Sequence, residues 1–350
     1  MKYAKVFFVG LGGAGQRHLR IFKQLLPEHT EFSAFRATGK TPLLNSDFTV
    51  NTGSSLKHFY GLRMFGSLEE GLAHGPDLVV IANPTSLHYE TALLAAQHNA
   101  HLFVEKPFSH SLEGFETFEN TVRDKQLVFF ISYQRRFHPW IRKAKDLLSK
   151  QVIGKVIHAV FNVASYVPSW HPYEDFHELY ACRKDLGGGV LLTEIHELDL
   201  CYWFFGRPQS IYAQGGNYSS TPMEVEDTVH LTLHYDGFVV SIHLSFMQKR
   251  NRRDFCIAGS EGYLDWTAEG NRLTVESYRD GNKTKVLSDP HLANDDLFVA
   301  QASYFLKEFK PSDIMYLDSA RATLEMVEAA RQSMRERREI PLPPPDRCRS

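Results

Sequence analysis

The chain has 350 residues, 43% of them hydrophobic, and a formal net charge of −2, a length that suits two domains better than one. The near-zero charge gives no electrostatic footprint for nucleic acid, and no run of about 18 uninterrupted apolar residues predicts a transmembrane span. The four cysteines are scattered without metal-type spacing. This pattern favours reduced thiols and a cytoplasmic protein.

The first third of the chain alternates strands with helices. Apolar runs typical of buried strands are KVFFVG, EFSAFR, DLVVIANP, HLFVEKP and QLVFFISYQRRF, and helical periodicity fills the intervals between them. Ser67 with Glu70 three residues later predicts a capping box at one helix start. Because the strands are apolar without alternation, we expect a parallel sheet covered on both faces. Residues 1–134 are therefore predicted to form a doubly wound, Rossmann-type domain of the α/β class.

The sequence changes character after about residue 135. Alternating apolar and polar residues flank Asp236-Gly237, which is a strong signal for a β-hairpin. Further short strands follow, and a final helix is predicted over roughly 318–336. We expect residues 135–340 to form an α+β domain with a large, mostly antiparallel open sheet, and residues 341–350 to be a loose, proline-rich tail.

A glycine-rich turn follows the first predicted strand and opens a helix. The segment matches a GxGxxG pattern and consists of Gly10, Leu11, Gly12, Gly13, Ala14 and Gly15. In this context the pattern indicates a dinucleotide site, because a helix N-terminus supplies free N–H groups and partial positive charge to a pyrophosphate. A plain glycine-rich turn is the less favoured alternative.

The end of the second strand bears on the choice of cofactor. A carboxylate there would accept a hydrogen bond from the ribose 2′-hydroxyl of NAD, but this chain offers Arg36, Thr38 and Lys40 instead. A guanidinium suits a phosphate group, so the sequence favours NADP over NAD. The alternative is that Arg36 stacks on the adenine and discriminates nothing.

The strand of AHLFVEKPFS ends in an unusual way. Its apolar residues lead into Glu105 and Lys106, and Pro107 then prevents the strand from continuing in a central ladder. A cation at this position is costly unless it has a function, and open parallel sheets bind ligands at their carboxyl edge. We therefore interpret Lys106 as a functional cation; the alternative is a surface salt bridge with Glu105.

Five segments of the chain carry a resemblance to a known family. They are GLGGAG, ANPTSLHYETALLAAQHNAHLFVEKP, QRRFHP, KDLGGGVLLTEIHELDLCYWFFG and the strand-rich VEDTVHLTLHYDG…CIAGSEGYLDW. In this order they resemble the glucose–fructose oxidoreductase, inositol dehydrogenase and MocA family. The resemblance implies a nicotinamide-dependent oxidoreductase with Lys106 and His196 as catalytic residues. It further implies cofactor contacts from Asn83, Pro84, His88, Glu105, Lys106 and Arg135, and a homodimer or homotetramer formed through the open sheet.

The chemistry agrees with these two catalytic assignments. Hydride transfer from a sugar carbinol requires removal of its proton, and histidine is well suited to accept it near neutral pH. A lysine at the same oxygen can stabilise the developing alkoxide. Glu105 would lie by the nicotinamide or brace the lysine.

One helix is predicted to carry His196. Thr193 and Asp199, three residues on either side, would share its face, so that Thr193 contacts substrate and Asp199 orients the imidazole. Many relatives carry an aspartate one turn before the histidine, whereas this chain has Leu192 and Thr193 there, and Glu194 is expected to point elsewhere. Either histidine and lysine suffice, or the chemistry is altered or lost.

The stretch SYVPSWHPYEDFHELYACRKDLGGG is expected to contact substrate. Aromatic faces with hydrogen-bonding tips suit sugar rings, and an arginine can bind a phosphate or carboxylate; a packing lid is the alternative reading. No metal is expected, because HPYEDFH fits no standard ligand set. The predicted substrate-binding residues are Tyr133, Tyr166, Trp170, His171, Arg183, Thr193 and Asp199.

These features predict an NADP-dependent dehydrogenase or reductase. Its substrate would be a secondary hydroxyl or ketone of a sugar, amino sugar or nucleotide sugar, with neither nucleic acid nor membrane as a partner. Two alternatives stay open: a non-catalytic NAD(P)-binding regulatory protein on the same fold, and an epimerase-like enzyme that retains its cofactor. Lys106 together with His196 favours the enzyme, and the missing aspartate slightly favours the regulator.

Overall fold

The computed structural model describes residues 3–39, 41–171, 173–219, 221, 223–279, 281 and 283–343. Its first sheet has six strands, all parallel, in the order β3-β2-β1-β4-β5-β6, which is the order of a doubly wound dinucleotide-binding sheet. The strands are β1 (Lys5–Val9), β2 (Glu31–Phe35), β3 (Arg63–Phe65), β4 (Leu78–Ile81), β5 (His101–Val104) and β6 (Phe129–Ile131). The predicted α/β fold of this part is confirmed.

Five helices connect these strands: α1 (Gly13–Leu25), α2 (Leu56–Tyr60), α3 (Leu68–Ala73), α4 (His88–Gln97) and α5 (Phe115–Asp124). The predicted start of α3 is confirmed, since the Ser67 hydroxyl accepts from the Glu70 N–H at 3.1 Å. The Glu70 carboxylate accepts from the Gly66 N–H at 2.8 Å instead of closing the predicted capping box. All four residues of β4 are buried, as expected for a central parallel strand covered on both faces.

The second sheet has nine strands in the order β14-β13-β12-β11-β7-β10-β9-β8-β15. All pairs are antiparallel except β7 with β10, so the predicted mostly antiparallel sheet is confirmed. Its strands are β7 (Val156–Tyr166), β8 (Ser210–Gly216), β9 (Thr228–Tyr235), β10 (Phe238–Ser245), β11 (Met247–Gly259), β12 (Gly262–Thr267), β13 (Arg272–Ser277), β14 (Lys283–Ser288) and β15 (Ile340–Pro341).

Helices cover one face of this sheet. They include α6 (Pro139–Ser149), α7 (Val190–Thr193), α8 (His196–Phe205) and α10 (Met315–Glu336), and α8 and α10 pack on the strands. Helix α9 (Asn294–Lys307) lies between α8 and α10 in the sequence. In β9 every second residue is buried, because only one face of the strand meets the helices. The predicted hairpin is confirmed, since Tyr235 pairs with Phe238 across the Asp236-Gly237 turn.

Helix α9 crosses back to the first sheet, which the sequence pattern did not indicate. It packs on α1, and its Phe305 ring lies 5.2 Å from Phe103 of β5 and 5.3 Å from Phe130 of β6. A segment assigned by sequence to the second domain therefore completes the core of the first. The domain boundary at 134/135 stays a prediction.

The first residues after the loop that follows α10 are hydrogen-bonded to the second sheet. Ile340 and Pro341 pair with β8, and the Leu342 N–H donates to the Gln209 carbonyl at 2.7 Å. The predicted loose tail is therefore wrong for residues 341 and 342, and residues 344–350 lie outside the described residues. Among the described residues, none of the helices combines the length and the apolar composition that crossing a bilayer requires.

Candidate functional site

The glycine turn joins β1 to α1 beside the ends of β2 and β4. Gly10 has φ of 90°, and a Cβ there would lie 2.6 Å from the Ala82 carbonyl oxygen, while one at Gly15 would overlap the Gly10 carbonyl. At Gly12 nothing lies within 4 Å of the Cβ position, and no side chain caps α1 there. The turn thus offers an approachable helix N-terminus of the kind that holds pyrophosphate, framed by all six predicted residues from Gly10 to Gly15.

An aromatic stack that sequence reasoning missed covers part of this turn. The Phe48 ring would lie 2.8 Å from a Cβ at Gly13, the Arg17 guanidinium lies 4.7 Å from its centroid, and His171 stacks on it at 6.3 Å. His171 also stacks on Tyr173 at 5.1 Å. The structure therefore brings His171, predicted to bind substrate, to the glycine turn, because its ring packs on Phe48.

His171 belongs to HPYEDFH, a segment whose sequence predicts no metal site. The His171 Nδ1 lies within hydrogen-bonding distance of Glu174 Oε1, at 2.6 Å. Within the described residues, no three His, Cys, Asp or Glu side chains are grouped to hold a metal ion.

The side chains after β2 lie on the other side of the turn. The Gly10 N–H donates to the Phe35 carbonyl at 3.1 Å, which brings the end of β2 against the glycines. Arg36 follows directly, donates to the Thr41 carbonyl at 2.6 Å, and has its pKa lowered by burial. Thr38 is exposed, and Lys40 lies outside the described residues. Arg36 is thus held by one bond to the backbone beside the predicted ribose site.

The loop after β4 contacts the turn through backbone. The Asn83 N–H would lie 2.6 Å from a Cβ at Gly10, and the Asn83 side chain donates to Thr91 Oγ1 at 3.0 Å. Pro84 follows as the residue before a short 3₁₀ turn. Asn83 and Pro84 thus lie at the expected place for cofactor binding, and their contribution to it stays a prediction.

His88 is placed differently from its prediction. Its Nδ1 lies 2.7 Å from the Pro107 carbonyl and its Nε2 lies 2.8 Å from the Asn83 carbonyl. Burial lowers the pKa of His88, so the neutral ring donates to one of the two carbonyls. With both nitrogens facing backbone, His88 has none left for a dinucleotide. It holds the β4 loop against the residues that follow Lys106.

Glu105 is also directed into the protein. Its Oε1 lies 2.5 Å from His18 Nε2 and accepts from the Ser132 hydroxyl at 3.1 Å, and its Oε2 accepts from the Lys106 N–H at 3.1 Å. Burial would raise the pKa of Glu105, but His18, Lys106 and Ser132 together lower it to about 2. The predicted cofactor contact is therefore corrected: Glu105 is an ionised brace that ties the end of β5 to α1 through His18, and its hydrogen bond to Lys106 is with the backbone N–H.

Lys106 extends from the end of β5 to the helices of the second sheet. Its Nζ donates to the Thr193 carbonyl at 2.6 Å. Thr193 ends α7, two residues intervene, and α8 begins at His196. The single helix predicted from 190 onward is therefore wrong, because the chain breaks at Glu194-Ile195. This break leaves the carbonyl of Thr193 free to meet the ammonium group.

His196 is buried beside this contact. Burial, followed by the charges of Lys106, Arg253 and Arg135, lowers its pKa well below the ordinary value, so the imidazole is neutral at physiological pH. Its Nδ1 has no hydrogen-bond partner among the described residues. Lys106 follows β5 and His196 begins α8, and the charge of Lys106 lowers the pKa of His196. The catalytic roles of the two residues stay a prediction.

Of the three residues predicted to contact substrate near His196, two have side-chain partners within the protein. Asp199 accepts from the Arg136 guanidinium at 2.9 and 2.6 Å, so the prediction that it orients the imidazole is wrong. Tyr133 is fully buried, and its hydroxyl lies 3.1 Å from Thr323 Oγ1. Its ring centroid lies 6.3 Å from that of His196, so Tyr133 supports the imidazole and does not contact substrate. The buried Thr193 hydroxyl has no hydrogen-bond partner among the described residues, and its predicted substrate contact stays a prediction.

A cleft of about 1180 Å³ opens beside these groups. Arg135 and Trp170, both predicted site residues, line it together with Glu194 and the β11 segment 248–254. Tyr166 lies at its edge, 5.8 Å from Lys249 Nζ. Lys106 and His196 do not form its wall, but the charge of Arg135 acts on His196, which links the cleft to the two predicted catalytic side chains. The predicted cofactor contact of Arg135 stays a prediction.

Sequence reasoning missed a pair of acidic residues beside this cleft, of which Glu194 lines it. Glu194, expected to point elsewhere, pairs with Arg253, and Glu197 Oε1 lies 3.4 Å from Arg253 Nε. Burial raises the pKa of Glu197 to about 7, with Arg253 lowering it and Glu194 raising it. A carboxyl group that titrates near neutral pH therefore lies next to His196. The available signal was the acidic pair flanking His196, but its partner Arg253 is far away in the sequence.

Arg183, another predicted substrate residue, does not line the large cleft. Its guanidinium is bound to Asp185 at 3.0 and 2.6 Å and lies 3.6 Å from Glu178. It lines a separate shallow cavity with His177 and Glu224, so its prediction as an anion-binding substrate residue is corrected. The charge of Arg183 is satisfied by neighbouring carboxylates.

Comparisons with known proteins agree with this architecture. The family description "Oxidoreductase family, NAD-binding Rossmann fold" matches residues 4–133, and "GFO/IDH/MocA C-terminal domain" matches residues 141–265. An "Uncharacterized oxidoreductase" of Streptococcus pneumoniae serotype 4 is 30% identical over 162 residues, 45% of this chain and 42% of that protein. The "scyllo-inositol 2-dehydrogenase (NADP(+)) IolU" of Bacillus subtilis is 27% identical over 266 residues, 74% of this chain and 78% of that protein.

Among solved structures, levoglucosan dehydrogenase in complex with NADH aligns with a TM-score of 0.80 and 17% identity, covering 97% of this chain and 99% of that one. This likeness establishes the fold. For three of the curated relatives, the aligned stretch spans only 37% to 56% of the relative's own length.

Proposed function

Because the chain belongs to the GFO/IDH/MocA oxidoreductase family, with an NAD-binding Rossmann fold, we propose that it transfers a hydride between a nicotinamide dinucleotide and a sugar. The reacting group would be a secondary hydroxyl or ketone of a sugar, amino sugar or nucleotide sugar. The observation that carries the proposal is the 2.6 Å bond from Lys106 Nζ to the Thr193 carbonyl. It brings a cation at the carboxyl edge of the parallel sheet to the helix break before His196.

The two side chains have complementary roles in this proposal. A dinucleotide held at the glycine turn of residues 10–15 would supply the hydride donor or acceptor. In the direction of oxidation, the neutral His196 accepts the hydroxyl proton, and its lowered pKa keeps a ring nitrogen unprotonated for this task. The Lys106 ammonium stabilises the alkoxide oxygen as negative charge develops there. The aromatic side chains of Tyr166 and Trp170 would contact the sugar ring.

The test is whether nicotinamide absorbance changes when the purified protein is mixed with dinucleotide and a panel of polyols, hexoses and nucleotide sugars. A change with at least one compound supports the enzyme. Tight dinucleotide binding without any change across the panel would instead favour the regulatory alternative, which the absence of an aspartate one turn before His196 supports. Isomerisation of a sugar without net absorbance change would favour the epimerase-like alternative.

We propose NADP rather than NAD as the preferred cofactor, on the basis of Arg36. Because burial lowers its pKa, a 2′-phosphate would offset the cost of keeping the guanidinium charged. Arg36→Asp should shift the ratio of NADPH to NADH affinity by about 10- to 100-fold towards NADH, the range for one lost charged hydrogen bond. Titration with each dinucleotide measures this ratio.

A matched control is Arg63→Asp, the same charge reversal on the neighbouring strand β3, where the side chain is 57% exposed and faces Glu31 at 3.8 Å. It should leave the ratio unchanged. If Arg36→Asp also leaves the ratio unchanged, Arg36 does not recognise the phosphate and the preference for NADP loses its support.

We also propose a homodimer or homotetramer formed through the open face of the second sheet. Large apolar side chains are exposed on its strands: Ile157, Tyr212, Val239 and Val286. Such surfaces favour association between copies, and sedimentation analysis of the purified protein tests it. A cytoplasmic location stays a prediction.

A further inference from the structure

We propose that the large cleft holds a subsite for a phosphate group of the substrate, formed by Arg135 and Lys249. This inference deepens the proposed function and rests on it, because it narrows the substrate class to phosphorylated sugars. Either a sugar phosphate or a nucleoside diphosphate sugar would supply the same phosphate chemistry.

The cleft lining has an excess of positive charge. Five cationic side chains line it, namely Arg135, Lys249, Arg250, Arg252 and Arg253, against the three acidic residues Glu194, Asp254 and Glu269. All three acids are already paired. They bind Arg253, Arg252 at 2.5 Å and Arg250 at 3.3 Å, respectively.

Arg135 and Lys249 have no ion pair within the described part of the chain. Arg135 Nε is buried and has no hydrogen-bond partner there. Burial and then the charge of Arg253 lower the pKa of Arg135 to about 9, although Glu197 and Glu194 oppose this. A partly buried guanidinium whose Nε has no hydrogen-bond partner is costly, and an oxyanion at this place would remove the cost.

Lys249 is presented to the cleft by a local irregularity in β11. Met247 pairs with Tyr166 and Arg252 pairs with Ala164, so residues 248–251 lie opposite Ser165 alone. A bulge of this kind redirects side chains away from the regular ladder. It places Lys249 Nζ 5.8 Å from the Tyr166 ring, next to the aromatic residues predicted to contact the sugar.

The size of the cleft agrees with a substrate larger than a simple sugar. Its volume of about 1180 Å³ exceeds the range of about 300–1,000 Å³ that is usual for small-molecule sites. Arg135, whose charge contributes to the lowered pKa of His196, and the exposed Lys249 both line this cleft. A sugar that reacts at His196 would place its phosphate group in the cleft.

The experiment is isothermal calorimetry on protein saturated with NADP, which keeps phosphate compounds from the glycine turn. Glucose 6-phosphate, UDP-glucose and glucose are the probes. At least one phosphate compound should bind at least ten-fold more tightly than glucose. Arg135→Met with Lys249→Met should weaken that binding at least ten-fold, and Lys249→Met alone should weaken it in the same direction while the affinity for NADP is unchanged. Tighter binding of glucose 6-phosphate identifies a sugar phosphate as the source, and tighter binding of UDP-glucose identifies a nucleoside diphosphate.

Two further variants make the result specific. Lys249→Met alone changes only an exposed side chain, so it tests the subsite even if the Arg135 variant does not fold. Lys285→Met removes a similarly exposed lysine on β14, outside the cleft, and should have no effect. If both cleft variants bind the phosphate compounds as tightly as the unchanged protein, or if no probe is favoured over glucose, the subsite is refuted.

Failure of the phosphate subsite and failure of the proposed enzymatic function give different experimental results. If nicotinamide absorbance changes with neutral sugars only, the enzyme stands and the subsite falls. If phosphate binding depends on Lys249 but no sugar causes any absorbance change, the subsite stands as a binding site and the enzyme falls.

Discussion

Lys106→Ala should lower turnover by about 10²–10⁴-fold, the range for lost acid–base assistance, while the affinity for the dinucleotide changes little. One hydrogen bond, from Nζ to the Thr193 carbonyl, holds the Lys106 side chain in place. Removing this side chain takes the positive charge away from the alkoxide oxygen. The glycine turn lies at the start of α1 and stays intact. The initial rate of nicotinamide absorbance change at saturating dinucleotide gives the turnover, and a titration gives the affinity.

Lys125→Ala is the matched control for this variant. Lys125 also donates to a backbone carbonyl, that of Gln97 at 2.7 Å, but it lies at the exposed end of α5. Its removal should leave turnover unchanged. Turnover that survives Lys106→Ala would show that this lysine does not act on the reacting oxygen.

Asp199→Ala should destabilise the protein by about 3–5 kcal/mol, because it leaves a buried guanidinium without its partner. The side chains of Arg136 and Asp199 are 4% and 0% exposed, and two hydrogen bonds join them. Arg136 also donates to Ser319 at 2.7 Å, so the pair connects the segment after β6 with α8 and α10. The midpoint of denaturant unfolding measures the change.

An exposed ion pair provides the comparison for Asp199. Asp146→Ala breaks a 2.7 Å contact with Lys150 on the surface of α6 and should leave the midpoint unchanged, since exposed pairs contribute little. A double change of Arg136 and Asp199 to Met and Leu should recover much of the lost stability. An Asp199→Ala midpoint equal to that of the unchanged protein would contradict the structural role assigned to this residue.

The parts of the fold that sequence reasoning obtained are those with a local signal. Apolar runs without alternation identified the strands of the first sheet, and alternation around Asp236-Gly237 identified the hairpin of β9 and β10. The glycine turn was identified because its spacing, and its place between a strand and a helix, match what the binding of a phosphate group requires. Lys106 stood out because a cation at the end of a buried strand is costly.

The errors concern contacts between distant parts of the chain. Asp199 was assigned to His196 because they are three residues apart, whereas its carboxylate binds Arg136, 63 positions away. Glu105 similarly binds His18, 87 positions away. Arg183 was chosen for its charge, but Asp185 two residues later neutralises it. Residue type alone does not reveal which charges are already paired.

The helix break before His196 illustrates a further limit. The periodicity of VLLTEIHELDL is compatible with one helix, and nothing local requires the chain to break at Glu194-Ile195. The break is stabilised by tertiary contacts, namely the bond from Lys106 to Thr193 and the pairing of Glu194 with Arg253. The acidic cluster beside His196 follows from that break and was therefore missed with it.

The most direct measurement is a crystal structure of the protein with NADP and a sugar that changes nicotinamide absorbance. It would show the reacting sugar carbon about 3–3.5 Å from the nicotinamide C4, with Lys106 Nζ and a His196 ring nitrogen both within hydrogen-bonding distance of its oxygen. A nicotinamide ring turned away from the two side chains, or side chains too far apart to touch one oxygen, would contradict the mechanism.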